Sequence, residues 1–247
     1  MPKPWRPRQF FISFGTGLYY YFQLRFYGTI NDMLKKKIKG ENNSTRRKTN
    51  CDPNQGCGIG NTRKTLAHVR FEVVTADALD DTGRAEIIKL CESAYGVDFT
   101  GLFEELPGSI HMLARDARGA LVSHAQWGTR WLQPAGHPVY RTAYVEDVAT
   151  APNQQRQGLA TAVLRRVNDV LAADSTWELG ALSPLNPAFY TRVGWELWRG
   201  PLAIRHNNGI EPTPPDERVM ILRLPRTPAT LVTTSLLTAE WRASELW

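Results

Sequence analysis

The segment that most constrains this chain is residues 144–160, Tyr-Val-Glu-Asp-Val-Ala-Thr-Ala-Pro-Asn-Gln-Gln-Arg-Gln-Gly-Leu-Ala. An apolar strand runs into a short polar turn, and the turn carries Gln155-x-x-Gly158-x-Ala160 at the mouth of an amphipathic helix. A glycine-bearing turn at a helix start points several backbone N–H groups one way, at the positive end of the helix dipole, and so forms a phosphate cradle. The same glycine also suits an ordinary tight turn. In the cradle reading, Gln155 opens the turn and the amides of Arg156, Gln157, Gly158, Leu159 and Ala160 take a pyrophosphate. The strand edge at Val148, Ala149 and Thr150 then pairs with an extended, amide-bearing ligand, as in strand addition.

Regular periodicity begins at Val69. Alternation predicts strands over 69–75, 110–115, 120–132, 139–150, 177–182, 201–205 and 219–224. Helical spacing predicts helices over 80–95, 100–106, 157–172 and 187–193. In the first of these, Asp80 and Asp81 are N-cap candidates, and Ala85, Ile88, Leu90 and Cys91 face inward. The segment 207–217 reads as a polar loop, and a Thr- and Leu-rich tail ends at Trp247. The order β-α-α-β-β-β-α-β-α-β-β is an α/β fold around one mixed central sheet flanked by helices. In this strand–turn–helix setting, Gln155-x-x-Gly158-x-Ala160 resembles the pyrophosphate loop of the GNAT acetyltransferases. That resemblance implies the GNAT fold, with acetyl-coenzyme A as co-substrate and its pantetheine along Val148–Thr150.

Transfer of acetyl from a thioester to an amine needs a base, an acid and an oriented coenzyme. Glu146 is the base candidate; simple alternation places Tyr144, Glu146, Val148 and Thr150 on one face and Asp147 on the other. A strand carboxylate that is partly buried is a better base, directly or through a water, and could equally be a rim group that binds a cationic substrate. A bulge at this strand would change which of Glu146 and Asp147 faces the cleft. Tyr190 is the acid candidate, because a phenol stays protonated at neutral pH; the alternative is a packing tyrosine. Ser183 precedes the same helix and could orient the phenol or the coenzyme sulfur, or simply cap. His68, His111, His124, His137 and His206 have no metal-ligand spacing and read as structural or exposed, so no metal is expected.

A narrower resemblance rests on Gly96-Val-Asp-Phe-Thr100, Tyr144-Val-Glu146, Leu179-Gly-Ala-Leu-Ser183, Phe189-Tyr-x-x-x-Gly194-Trp195 and Glu240-Trp-Arg-x-x-Glu-x-Trp247. Together these are similar to the aminoglycoside 2'-N-acetyltransferases, a branch of the GNAT superfamily. The resemblance covers 69–247. It implies direct transfer to the 2'-amine of an aminoglycoside, conferring antibiotic resistance, in a cytoplasmic homodimer. It further implies that Asp98, Glu146, Glu245 and the Trp247 carboxylate contact the drug, with Glu146 the water-mediated base and Tyr190 the general acid. Asp147 is a further candidate substrate contact, standing where a small residue is usual. The segment 102–109 departs from the family pattern, which leaves kasugamycin beside the deoxystreptamine drugs as the acceptor. A GNAT acting on another small-molecule or protein amine, and a coenzyme-A or nucleic-acid binding protein, are the competing readings.

Charge is unevenly distributed. Residues 1–68 hold 13 Lys and Arg against 3 Asp and Glu, whereas the rest holds 17 against 21. A basic, low-order extension over 1–68 therefore precedes an acidic enzyme domain over 69–247 that attracts a polycation and repels nucleic acid. The extension reads either as a nucleic-acid or membrane-surface arm or as a segment without function. Three cysteines, Cys51, Cys57 and Cys91, make no disulfide framework, which fits a reducing cytoplasm. The aromatic stretch 10–30 is interrupted by Gly15, Gly17, Gln23 and Arg25, so no membrane span is expected.

Overall fold

The computed structural model describes Leu66, residues 68–106, residues 108–242 and Trp247. The basic extension up to residue 65, with Cys51 and Cys57, and Glu245 lie outside the described residues.

The chain forms β1 (Arg70–Thr75), α1 (Asp81–Tyr95), α2 (Leu102–Glu105), β2 (Ile110–Arg115), β3 (Leu121–Pro134), β4 (Tyr140–Thr150) and α3 (Leu159–Ala173). It continues through β5 (Leu179–Leu182), α4 (Pro187–Thr191), β6 (Glu196–Leu197), β7 (Leu202–His206), β8 (Gly209–Pro212), β9 (Met220–Arg223) and β10 (Leu237–Glu240). The Asp80 carboxylate caps α1, accepting from the Gly83 amide at 2.8 Å, and Gly96 ends it at φ 76°. The buried stripe of α1 is Gly83, Ile87, Leu90 and Cys91; Ala85 is exposed and Ile88 half-buried. Leu90 and Cys91 thus face inward as the spacing predicts, while Gly83 and Ile87 take the buried places expected for Ala85 and Ile88. The stripe of α3 is Leu159, Val163, Leu164, Val167 and Leu171.

One ten-stranded mixed sheet carries these helices. Its path runs β6-β9-β5-β4-β3-β10-β7-β8, with β1 and β2 attached to the first half of β3. The long β3 therefore pairs with β2 near its start and β10 near its end, while β4 lies along its other edge. β4 and β5 are parallel, as are β10 and β7. This is the mixed, helix-flanked α/β sheet expected from the sequence.

Three buried clusters fill the layers. Trp127, Val145 and Trp195 pack with α3; Leu113 and Ala149 pack with α1 and α2; and Tyr140, Tyr144, Leu179, Leu237 and Trp247 pack together near the β4–β5 and β3–β10 junctions. Leu66 and Val69 also lie against the first cluster.

β6 falls between predicted elements, and β8 and β10 fall in segments expected to be loop and tail. β10 matters most, because it carries the chain end to the middle of the sheet. It is held from outside its own sequence. The Trp198 indole donates to the Ser235 carbonyl at 2.8 Å, and Gly200 passes so close that a Cβ would stand 1.9 Å from that oxygen.

Leu164 is fully buried under the sheet. Leu164→Ala is expected to cost about 2–5 kcal/mol through lost transfer energy and a residual cavity. Urea unfolding followed by tryptophan fluorescence checks this, and an unchanged midpoint would contradict the packing described.

Candidate active site

The strand β4 is irregular where the sequence pointed to chemistry. Gln126 pairs with Glu146, and His124 pairs with Ala149, so Ala125 alone opposes Asp147 and Val148. Two residues against one is a β-bulge. Asp147 accommodates it at φ 50°, in the left-handed region that side-chain-bearing residues rarely adopt.

The bulge corrects the expected facing. Directly paired residues share a face, and Gln126 and His124 lie two apart on one strand. Glu146 and Ala149 therefore face the α1 side together. Val148 packs in the cluster of α3, on the opposite face from Glu146, and Thr150 goes with it. Simple alternation fails here because the extra residue inverts the period.

Side chains fasten the bulge at every carbonyl from Asp147 to Thr150. His124 Nδ1 lies 3.0 Å from the Asp147 oxygen, and the Tyr95 hydroxyl donates to Val148 at 3.0 Å. Ser123 Oγ donates to Ala149 at 2.8 Å, and Gln155 Nε2 donates to Thr150 at 3.3 Å. The Asp147 carboxylate accepts from Gln126 Nε2 at 2.5 Å. Gln155 thus uses its side chain to tie the turn to the strand. Gln157 closes the turn on itself, donating to the Asn153 carbonyl at 3.3 Å.

Beside the bulge the sheet opens. β4 pairs with β5 only from Thr142 to Tyr144, opposite Leu179 to Ala181. Glu146 lies two residues beyond Tyr144, as Ser183 lies two beyond Ala181, so both stand where the parallel strands have ceased to pair. The turn that follows β4 has Arg156 at φ 62° and Gly158 at φ 87°, and α3 starts with no side-chain cap on its amides. Left-handed residues in such a turn gather N–H groups into an anion-binding concavity. Asp147 and Arg156 are the only non-glycine residues with positive φ among those described, and they flank this opening. Backbone strain of this kind concentrates at functional sites. The side chain of Leu159 is buried, so only its amide could face a ligand. These residues fit a pyrophosphate followed by an amide-bearing arm.

Glu146 has a partner that sequence reasoning missed. Both its oxygens face the Arg242 guanidinium: Nη2 meets Oε1 and Nη1 lies 3.4 Å from Oε2. Arg242 also lies over the Tyr144 ring at 5.6 Å, and the buried Arg130 lies over the same ring at 4.9 Å. Arg130 in turn lies 5.9 Å from the Trp247 ring and donates to the Glu240 carbonyl at 3.2 Å. Burial, then the neighbouring Arg242 charge, pull the Arg130 pKa down. Trp247 itself is only 4% exposed, so its indole is an anchor in the core. The signal for Arg242 lay in the terminal Glu-Trp-Arg stretch, whose carboxylates alone suggested a role.

Tyr190 sits half-buried on α4, its ring 5.0 Å from that of Phe189 and 6.5 Å from that of Trp195. Burial pushes its phenol up to about 12. It therefore stays protonated across the physiological range. Ser183 is exposed, and Asn186 rather than Ser183 holds the N-cap position of α4, so the capping alternative is withdrawn. Asp98 is exposed in the turn after α1, where its carboxylate accepts from the Thr100 amide at 2.9 Å. That hydrogen bond holds its pKa below the usual carboxylate value. Tyr95 stacks on Phe99 at 5.4 Å while bonding Val148, which ties the Asp98 turn to the bulge.

His111 and His124 are fully buried and joined at 3.0 Å. Burial, with Arg84 as a lesser cause, lowers His111 to about 4; burial, with His111 as a lesser cause, lowers His124 to about 3. Burial likewise raises the Cys91 thiol, which lies 3.9 Å from His124. Among the described residues no group of His, Cys, Asp and Glu could hold a metal, and no helix is long and apolar enough to cross a membrane.

A model of the acetyltransferase (GNAT) domain matches residues 76–198. An aminoglycoside 2'-N-acetyltransferase of Mycolicibacterium fortuitum is 33% identical over 190 residues, covering 75% of this chain and 95% of that protein. Among solved structures, the GNAT family N-acetyltransferase YhbS of Escherichia coli in complex with CoA is 17% identical, with a TM-score of 0.49 over 70% of this chain and 91% of that one. The chain belongs to the GNAT acetyltransferase family. It is an acyltransferase of the fold that uses acetyl-coenzyme A.

The neutral histidines make stability pH-dependent. Their depressed pKa values mean that the unfolded chain binds more protons, so their contribution is complete above about pH 6.5. It is lost as pH falls toward about 4 and about 3. The melting temperature is expected to fall on acidification from pH 7 to pH 5, with proton uptake on unfolding by calorimetry in two buffers. Unfolding without proton uptake at pH 5 would show that the rings are not held neutral.

Proposed function

We propose that this enzyme is an aminoglycoside 2'-N-acetyltransferase that moves acetyl directly from acetyl-coenzyme A to the 2'-amine. The observation that carries this reading is the match to a protein of that name across 95% of that protein's length. The cleft carboxylates Asp98, Glu146 and Asp147 are consistent with it. Glu146 and Asp147 are partly buried, and a charge-assisted contact of either with an ammonium is worth about 1.5–3 kcal/mol.

In this proposal the amides of residues 156–160 and the β4 edge at Val148, Ala149 and Thr150 hold the coenzyme, which supplies the activated acetyl thioester. Glu146 takes a proton from the substrate ammonium through a water. The Arg242 fork leaves it capacity to do so, since a carboxylate has about four lone-pair sites. Tyr190 delivers a proton to the departing sulfur, with Ser183 orienting one or both groups. Asp98, Asp147, Glu245 and the Trp247 carboxylate bind the remaining ammonium groups. The buried Trp247 ring supports that last role by fixing where this residue sits. The acceptor is kasugamycin or a deoxystreptamine drug, and the setting is antibiotic resistance in the cytoplasm by a homodimer.

Thiol release with acetyl-coenzyme A against kasugamycin and several deoxystreptamine drugs tests the acceptor, with the acetylated position read by NMR. Product acetylated elsewhere than the 2'-amine, or no turnover with any of them, would remove the proposal. Glu146→Gln is expected to lower kcat by about 10²–10⁴-fold while coenzyme affinity stays near normal. An unaffected rate would remove Glu146 as base. One glycine appended after Trp247 is expected to raise the drug KM, and a wild-type KM in that variant argues against the terminal carboxylate.

A further inference from the structure

The buried histidines have no part in the proposed chemistry, yet they end at its centre. Ser109 Oγ lies 3.0 Å from His111 Nε2, His111 Nδ1 lies 3.0 Å from His124 Nε2, and His124 Nδ1 lies 3.0 Å from the Asp147 carbonyl oxygen. All three side chains are buried.

Chemistry fixes the direction of this chain. A carbonyl oxygen only accepts, so His124 Nδ1 carries a hydrogen. In the neutral ring His124 Nε2 is then an acceptor, which requires a hydrogen on His111 Nδ1. His111 Nε2 accepts in turn, and the Ser109 hydroxyl donates to it. Both rings are Nδ1–H tautomers, and every donor points toward Asp147. The same residue is held from a second side by Gln126 Nε2 on its carboxylate.

Asp147 needs such holding. Its left-handed backbone, at φ 50°, is strained and persists only where the surroundings over-determine it. We infer that the Ser109–His111–His124 chain is a positioning device for the reaction: its terminal Nδ1–H fixes the Asp147 carbonyl and so holds the bulge that aims Glu146 and sets how the Val148–Thr150 edge of β4 faces the coenzyme. The inference rests on the reading of that bulge as the catalytic centre. The chain is not a proton relay to Glu146, because it ends on a carbonyl that takes no proton.

The test combines imidazole ¹⁵N NMR of the wild-type enzyme with kinetics of two variants. Both rings are expected as Nδ1–H tautomers, unchanged between pH 8 and pH 6. His124→Leu, folded by circular dichroism, is expected to lose about 100-fold in kcat/KM for acetyl-coenzyme A, the scale of a misplacement near 1 Å. His124→Asn keeps an N–H close to the Nδ1 position and is expected to recover most of that loss, which a mere packing role would not. Nε2–H tautomers, or a His124→Leu enzyme with wild-type kinetics, would overturn the inference. Should His124→Leu fail to fold, Ser109→Ala takes its place. Removing the first donor is expected to shift the ¹⁵N signals of both rings and lower kcat, and unchanged signals and rates would overturn the inference. Coenzyme affinity by calorimetry and the tautomers are read without any acceptor. A wrong acceptor therefore shows as absent turnover in the wild type, separately from failure of the chain.

Discussion

One backbone conformation organises the active region: Asp147 in the left-handed region of β4. It makes two residues oppose one, which turns Glu146 and Ala149 to the same face and sends Val148 to the other. β4 has left β5 before this point, their pairing ending at Tyr144 and Ala181, and it runs on into the Arg156–Gly158 turn with one edge unpaired by β5. Four carbonyls in succession are held by His124, Tyr95, Ser123 and Gln155, which come from β3, α1 and the turn itself. The irregularity is therefore built from outside the strand.

The second organising contact is the buried Arg130. A guanidinium 1% exposed is costly unless it is compensated. It finds the Tyr144 ring, the Trp247 ring and the Glu240 carbonyl, and by doing so ties the chain end across β3. Glu240 adds its carboxylate, 3.9 Å from Arg130 and accepting from the Trp131 amide at 2.8 Å. With β10 paired between β3 and β7, the last described residues are fixed close to β4, and Arg242 reaches Glu146.

What could be read from the sequence follows from the range of the forces involved. The strand–turn–helix at 144–160 is local, and both its elements and its glycine turn were legible. Glu146 was legible as a carboxylate in an apolar strand, and Tyr190 as a phenol on a short helix. Facing was legible only while the period held: it failed at Val148 and Thr150, because a bulge is imposed by neighbours such as His124 and Gln126. The partners were not legible at all. Arg242 lies 96 residues from Glu146, and Tyr95 lies 53 from Val148. His111 and His124, read as structural or exposed, proved to be buried members of one hydrogen-bonded chain. β10 escaped notice because its alternation, Leu-Thr-Ala-Glu, is only four residues long, and its conformation is secured by pairing with β3 and β7.

The Arg242 pair separates two roles that the sequence assigned jointly to Glu146. Binding a polycation needs negative charge that the ligand alone neutralises; removing a proton needs a carboxylate held in a productive orientation, geometry before strength. A guanidinium fork across both oxygens reduces the first and supplies the second, since a two-point contact fixes the plane of the carboxylate. On the proposed reading, Glu146 is thereby an oriented base more than a binding group. Attraction of the drug passes to carboxylates at the rim. Asp98 suits that role, because it is exposed and its hydrogen bond from Thr100 favours the ionised form. On that reading, the acidic balance of residues 69–247 would act at long range on a polycationic drug, while the paired, partly buried Glu146 would act only at contact.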